Sequence, residues 1–513
     1  MSRAITSDVS SSVAPGQGGR WSHLPAILGF VALFCWLFAR FFLRPLYLAE
    51  SDLYENGLPI FLSPIRFWSS YEFVGLPVLA DPANFTFYPP SLFFGQLLHS
   101  WTAVVVSAPL LASIFCYAYV FGLTRSRSAA VFAGLAYGLC EDMLERLRHI
   151  NHVHAIAWLP LIVLSLDRLH ARGGRRWIVV GAFAVGCCIL AGHPQPALYV
   201  MYCAAAYAAL GLVAGRAGWR AAGGIAAMFT LGVMLAAVKE VPLAQASALV
   251  ARSEGLTFQR FVGPSLTGPQ MLSFVYPTVL HGATTELPTY MGIGTLLMAL
   301  IGATRMRLDW RVSFWLLAAM LGVGMALGQS TPLADLAYYV PLYTWFRNLS
   351  RHLFLFAFGS CVIAGVGVAA LQRRQVTMRQ ATCASLLLAF IMLFGALFIG
   401  ARPEWFPLEG PHGEPGPGPL SVLSLGVWIQ IAVLAVVIAL TAWITRAPSG
   451  LSIALLVVVL VTDLLSALPY DLKRDGIEIY GIDGANLAPS VQARAIGRGL
   501  EPLRQRADRK SVV

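Results

Sequence analysis

Charge is what this chain has least of: only 12% of its 513 residues are Asp, Glu, Lys or Arg, against roughly 25% in an average soluble domain. With 57% hydrophobic residues and a mean hydropathy of +0.69, a soluble globular protein is excluded. Alternation is missing as well. The apolar stretches are continuous, so of the two architectures that close every backbone hydrogen bond in lipid, the helix bundle is left and the barrel is not. Glycine-rich phosphate cradles are absent, neither Walker A nor GxGxxG, which argues against a soluble nucleotide bound on the inner side. HExxH and CxxC spacings are absent too. All eight cysteines lie in or beside apolar runs and read as small buried hydrophobes, not as loop disulfides or metal thiolates. The net charge of +11 would suit a nucleic-acid partner, but the basic residues sit in short clusters between apolar runs, as topology signals do. Nucleic acid is therefore not expected.

What is present is a series of thirteen charge-poor runs, from about Leu24–Leu43 to Leu451–Leu468. They predict an all-α polytopic integral membrane protein with about thirteen transmembrane helices: a disordered cytoplasmic tail over 1–22, a membrane domain over 23–469 and a short extracytoplasmic tail over 470–513. Orientation follows from arginine. The short loops holding Arg125/Arg127, Arg168/Arg172/Arg175/Arg176, Arg216/Arg220, Arg305/Arg307/Arg311, Arg373/Arg374/Arg379 and Arg446 share the side of the N-terminus, which puts it inside and the C-terminus out. Carboxylates agree independently, since only Asp8, Asp167 and Asp309 fall inside, and fifteen of the 25 occupy outer loops between Glu50 and Glu414. The expected outer loops are 44–100, 239–289 and a flexible, Pro/Gly-rich one over 402–420. In the first of these, Pro64–Phe73 and Ser91–Leu98 mix aromatic and polar residues as interfacial helices do. Two runs, Ser128–Cys140 and Ala155–Leu166, are too short to cross ~30 Å of hydrocarbon. Either their helices extend into 141–154, whose charges then line a wet cavity, or that segment is a solvated loop.

The stretch from Glu50 to Tyr88 concentrates Glu50, Asp52, Glu55, Glu72 and Asp81, and the outer loops also carry Arg146, Arg148, Lys239, Arg252, Arg260, Arg347 and Arg351. An acid that accepts a proton and a cation that holds a departing phosphate are the two parts needed to transfer a sugar from a lipid phosphate. Asp52 is the leading catalytic candidate, with a helix N-cap as its structural alternative. Asp81 either serves as a second acid or caps an Asp-Pro turn. Arg347 and Arg351, four apart, share a face if that stretch is helical, and read as phosphate ligands or headgroup anchors. Lys239 closes an uncharged span and either pairs with Glu240 or holds phosphate; Arg252 follows in the same loop. His193 and Gln195, fixed between Pro194 and Pro196, either contact a sugar hydroxyl or satisfy a helix end. Tyr88, Glu141 and His152 complete the sugar- or acceptor-binding set. No metal ligands are assigned; a divalent cation is left open, since His149, His152 and His154 read either as a cation cluster or as hydrogen-bonding groups.

The patterns SDLY at 51–54, GLPVLADPANFTFYPPSLFF at 75–94, AGHPQPALY at 191–199, YMGIGTLL at 290–297 and FRNLSRHLFLFAFGSCVIAGVG at 346–367 resemble the YfhO family of bacterial membrane proteins. That family is similar to the GT-C superfamily of glycosyltransferases, and the resemblance spans roughly residues 24–470. It implies transfer of a sugar from a polyprenyl-phosphate donor to a cell-envelope acceptor at the outer face of the bacterial cytoplasmic membrane. It also implies Asp52 as general base on the acceptor hydroxyl, and Asp81 in a second acidic position. Members often have a larger outer C-terminal region than the 44 residues here. Two rivals come from other classes. A transporter or lipid flippase predicts midplane charges and inverted repeats, of which the chain shows few and no clear one; a non-catalytic scaffold of an envelope assembly is the other.

Overall fold

The computed structural model describes residues 23–43, 46–48, 53, 57–58, 61, 67–69, 76–171, 174–214, 218–247, 255–280, 287–405, 407–409, 415–419, 425–467 and 481–483. Helices dominate, and each of the thirteen apolar runs coincides with one. In chain order they are α1 (Leu24–Leu37), α2 (Trp101–Thr124), α3 (Arg127–Leu139), α4 (Ile150–Ile156) running on into α5 (Leu159–His170), α6 (Arg176–Leu190), α7 (Pro194–Ala214) and α8 (Trp219–Ser247). They continue as α9 (Ile293–Ala303), α10 (Trp310–Ala326), α11 (Leu353–Gln372), α12 (Met378–Ala401), α13 (Leu425–Arg446) and α14 (Gly450–Ser466). Seven of the described helical stretches are long and apolar enough to cross a membrane, α4 and α5 together being one of 21 residues. The short run at Ala155 thus gains length from the 141–154 segment, as its length demanded.

Several helix starts are fixed by a polar residue just before the apolar run. Ser100 accepts from the Ala103 N–H and Ser126 from that of Ala129, while Thr377 with Gln380 and Ser449 with Ser452 form reciprocal capping boxes. Packing then sorts the helices. α11 is buried along nearly its whole length and packs against α3, α9 and α10. Its approach to α9 is backbone on backbone: a Cβ on Gly367 would lie 2.1 Å from the Met298 carbonyl oxygen, so only glycine fits. α8 and α12 sit at the periphery, with Met234, Leu235, Phe390 and Phe394 exposed as lipid-facing surface.

Among the described residues the only strands are short pairs. Leu46–Leu48, after the first helix, pairs antiparallel with Gly481–Asp483, after the last. Within the Pro/Gly-rich loop, Pro407–Glu409 pairs with Pro415–Pro419. Of the expected interfacial helices, Ser91–Leu97 is a wide π-type helix that exposes Phe93 and Leu97. Within 64–73, however, Trp68–Ser69 is a strand, paired antiparallel with Leu76–Pro77. The tail over 1–22 lies outside the described residues.

Candidate active site

Four separate pieces of chain meet at one cavity of about 280 Å³: Pro82 and Ala83 of the loop between α1 and α2, His149–Asn151 at the start of α4, Gly192–Gln195 at the start of α7, and Phe346, Arg347 and Arg351 before α11. Each arrives for a local reason. Asp81 takes the Ala83 N–H on its own Oδ1 at 2.9 Å, and Asn84 takes that of Thr86 at 2.8 Å, so the loop closes into consecutive side-chain-capped turns. Gly192 has φ +88°, and a Cβ there would stand 3.0 Å from both the Ala83 and the Asn84 carbonyl oxygens. Only glycine lets the α7 corner approach that turn. Asn151 bolts the two together, its Nδ2 donating to the Ala83 carbonyl at 2.7 Å and to that of Gly192 at 3.1 Å.

Arg351 is the polar centre of the site. Its Nη1 donates to Gln195 Oε1 at 2.7 Å and to His193 Nε2 at 3.1 Å. Since a guanidinium only donates, His193 Nε2 must accept, which puts the neutral ring's proton on Nδ1. Gln195 is fully committed: its Nε2 donates to the Tyr199 hydroxyl at 3.0 Å and to the Arg347 carbonyl. Its orientation is thereby fixed. Arg347 is exposed at the cavity. Pro194 and Gln195 belong to the first turn of α7, so that helix directs its positive end at the same space. Two guanidinium groups and the first turn of α7 thus border the hollow.

The sequence-predicted residues therefore divide. His193, Gln195, Arg347 and Arg351 line one cavity, and Asp81 stands at the head of its wall turn. Arg347 and Arg351 do not owe this to a shared helical face: Asn348 between them has φ +64°, and Arg351 lies on the tight turn Leu349–His352. Lys239 does not line the cavity; its Nζ donates to the carbonyls of Pro82 at 3.0 Å and Asn84 at 2.7 Å, behind the wall. Tyr88 is a core residue, fully buried, its hydroxyl accepting from Trp158 Nε1 at 2.9 Å and lying 2.9 Å from His154 Nδ1. Glu141 sits elsewhere, its Oε2 accepting the Thr289 and Tyr290 N–H groups at 2.7 Å each, beside a separate small hollow with Tyr290 and Leu464. Burial lifts its carboxyl to about 8 against those two stabilising bonds. His152 is 1% exposed, behind His193, with ring centroids 6.0 Å apart. Asp52 and Arg252 lie outside the described residues.

Segment 141–154 does reach the cavity, but through His149, Ile150 and Asn151. Two pairs form within the segment: Arg146 Nε lies 3.0 Å from Asp142 Oδ1, both buried, and Arg148 pairs with Glu145. Asp142 is pushed up to about 6 by burial, with Arg146 pulling the other way. The three histidines diverge, and among the described residues no group of three or more His, Cys, Asp or Glu converges on a metal position. Sequence reasoning missed Asn151 as a functional residue, although it sits inside the segment expected to line a wet cavity.

Solved structures resemble this chain to differing degrees. The crystal structure of ArnT from Cupriavidus metallidurans bound to undecaprenyl phosphate is similar with a TM-score of 0.50 at 15% identity, over 87% of this chain and 77% of that one. The arabinofuranosyltransferase AftD from Mycobacteria gives 0.44 at 16% identity over 77% and 28%, and the arabinosyltransferase EmbB from Mycobacterium smegmatis 0.35 at 13% over 87% and 44%. This chain spans less than half the length of those two. No family model and no curated protein matches the chain, so its likeness to the YfhO family rests on the quoted patterns alone. What the ArnT likeness shows is fold: this chain shares the helical architecture of that structure.

Proposed function

We propose that this chain is a membrane glycosyltransferase, moving a sugar from a polyprenyl-phosphate donor to a cell-envelope acceptor on the outer face of the bacterial cytoplasmic membrane. The observation that carries the reading is the convergence of Arg347, Arg351, His193 and Gln195 on one hollow at the end of a GT-C-fold helix bundle. The ArnT structure of like fold is bound to undecaprenyl phosphate. A hollow of about 280 Å³ stands at the small end of ligand sites, roughly 300 Å³ and upward, which suits a phosphate with one sugar ring.

In this reading the donor phosphate lies against Arg347 and Arg351, where fixed guanidinium donors in a partly dry site stabilise the negative charge that grows as the bond to the anomeric carbon breaks. His193 and Gln195 hold Arg351 and face the sugar. Asp52 accepts the acceptor proton as the acceptor oxygen attacks, and the lipid phosphate leaves; a single displacement inverts the anomeric centre. The test is transfer of labelled sugar from undecaprenyl-phosphate donors by the purified chain in nanodiscs, with envelope glycolipid extract as acceptor. Asp52→Asn should abolish transfer while insertion and folding persist. Full activity in that variant would remove Asp52 from the mechanism, and a well-folded wild type inert with every such donor would remove the transferase reading.

A further inference from the structure

Lys239 is an expensive residue where it stands. It belongs to α8, a helix whose Met234, Leu235, Val238 and Val241 face outward, yet its own side chain is 3% exposed. A buried ammonium on a lipid-contacting helix costs several kcal/mol unless its donors are answered. Two of them are, by main-chain oxygens of the first outer loop, Pro82 and Asn84. The carbonyl between those two, Ala83, is taken by Asn151. Three consecutive carbonyls are thus gripped by side chains from two different helices, while Asp81 holds the Ala83 and Asn84 N–H groups from within the turn. The turn has little freedom left.

This turn has a consequence for the cavity. Pro82 and Ala83 are part of its lining, and the Ala83 and Asn84 carbonyls are the surface against which Gly192 is packed without room for a methyl group. The next residues after Gly192 are His193 and, two further, Gln195, the two side chains that hold Arg351. A route of direct contacts therefore runs from the Lys239 ammonium through the 82–84 main chain to the Arg351 guanidinium. We propose that Lys239 is a positioning residue of the donor site, holding the 81–84 turn against the Gly192 corner so that Arg351 keeps its aim, and that it touches no substrate itself. The inference rests on the cavity being the donor site.

The test uses the full-length chain in nanodiscs and undecaprenyl phosphate as the probe, so it needs no turnover. Lys239→Met keeps the length of the side chain and removes its donors; Lys239→Arg keeps donors able to reach both carbonyls. In Lys239→Met, amide exchange at Ala83, Asn84 and Thr86 should accelerate and undecaprenyl phosphate should bind less tightly, each by about tenfold, the loss expected when buried acceptors go unanswered. Lys239→Arg should stay within about threefold of wild type on both. Should the methionine variant fail to insert, Lys239→Gln, which keeps an N–H donor of shorter reach, gives the same two readouts with a smaller change. Unchanged exchange in both Lys239→Met and Lys239→Gln overturns the proposal. So does weakened binding without faster exchange, which would make Lys239 a direct phosphate ligand. A chain that binds the lipid but transfers no sugar counts against the transferase reading, and the exchange data still decide for Lys239.

Discussion

Two polar clusters are built on the same helices and differ in what they leave open. One is the cavity at the start of α4 and α7. The other surrounds Asp167, sixteen residues beyond Asn151 along the α4–α5 stretch and so about 24 Å away. There Trp315 Nε1 donates to the Tyr119 hydroxyl at 2.8 Å, Tyr119 is 2.9 Å from the Tyr207 hydroxyl, and Tyr207 donates to Asp167 Oδ1 at 2.6 Å. Arg311 closes the chain on Asp167 at 3.2 Å and on Asp309 at 2.7 Å. Each member answers another, and the network ties α2, α5, α7 and α10 together. At the cavity end, Arg351 donates to Gln195 and His193, and Arg347 stands exposed beside it at the edge of a hollow. A polar network closed on itself stiffens a bundle, whereas an exposed guanidinium at the edge of a hollow, as Arg347 is, can meet a ligand.

The largest effect that would break this comparison is at Arg351. Arg351→Ala should lower transfer by about 10²–10³-fold, the usual cost of removing a donor aimed at developing charge, with melting temperature close to wild type. A variant that melts early and keeps its transfer rate per folded molecule would make Arg351 a scaffold residue. Asp167→Asn is the opposite experiment. It leaves Arg311 with Asp309 alone and should cost about 2 kcal/mol, discounted for partial exposure from the value of a fully buried pair. Thermal unfolding in detergent should move down by several degrees while transfer per folded molecule is retained. Loss of transfer at unchanged stability would give the Asp167 cluster a functional role.

The sequence told the two ends apart unevenly. Helices were legible because continuous apolar runs are a local signal, and all thirteen runs became helices. Arg347, Arg351, His193 and Gln195 were legible as chemistry, since each is a polar residue at the outer end of an apolar run. That they share a hollow was not, because it depends on α7 meeting the chain before α11 across 152 residues, from Gln195 to the Arg347 carbonyl. Four-residue spacing suggested a helical face for the two arginines, but Asn348 in a left-handed conformation brings them together instead. Lys239 shows the limit most clearly. A cation at the end of a span can face a ligand or a main-chain carbonyl, and only the fold of the 81–84 turn decides. Tyr88 and Glu141 were likewise polar residues in the right loops whose partners turned out to be Trp158 and the Thr289–Tyr290 backbone.

Glu141 supplies the smallest and sharpest contrast, because it lies outside both clusters and its effect is on stability alone. Burial raises its carboxyl from an ordinary 4.5 to about 8, so between those values the folded chain binds more protons than the unfolded one. Stability must then fall as pH rises through that window, with the penalty complete above about 8 and absent below 4.5. Both backbone N–H bonds end on Oε2, so the protonated acid keeps them through its carbonyl oxygen, and Glu141→Gln offers an acceptor in the same place. Wild type and Glu141→Gln should therefore melt together at pH 5 and separate towards pH 8, the glutamine variant becoming the more stable by a few degrees. Transfer at pH 7 should be the same in both, since Glu141 faces a hollow apart from Arg351. Parallel melting curves across the window would mean that the carboxylate is fully accommodated when charged. A fall in transfer with unchanged melting would instead bring Glu141 back to the acceptor role its place in the outer loops suggested.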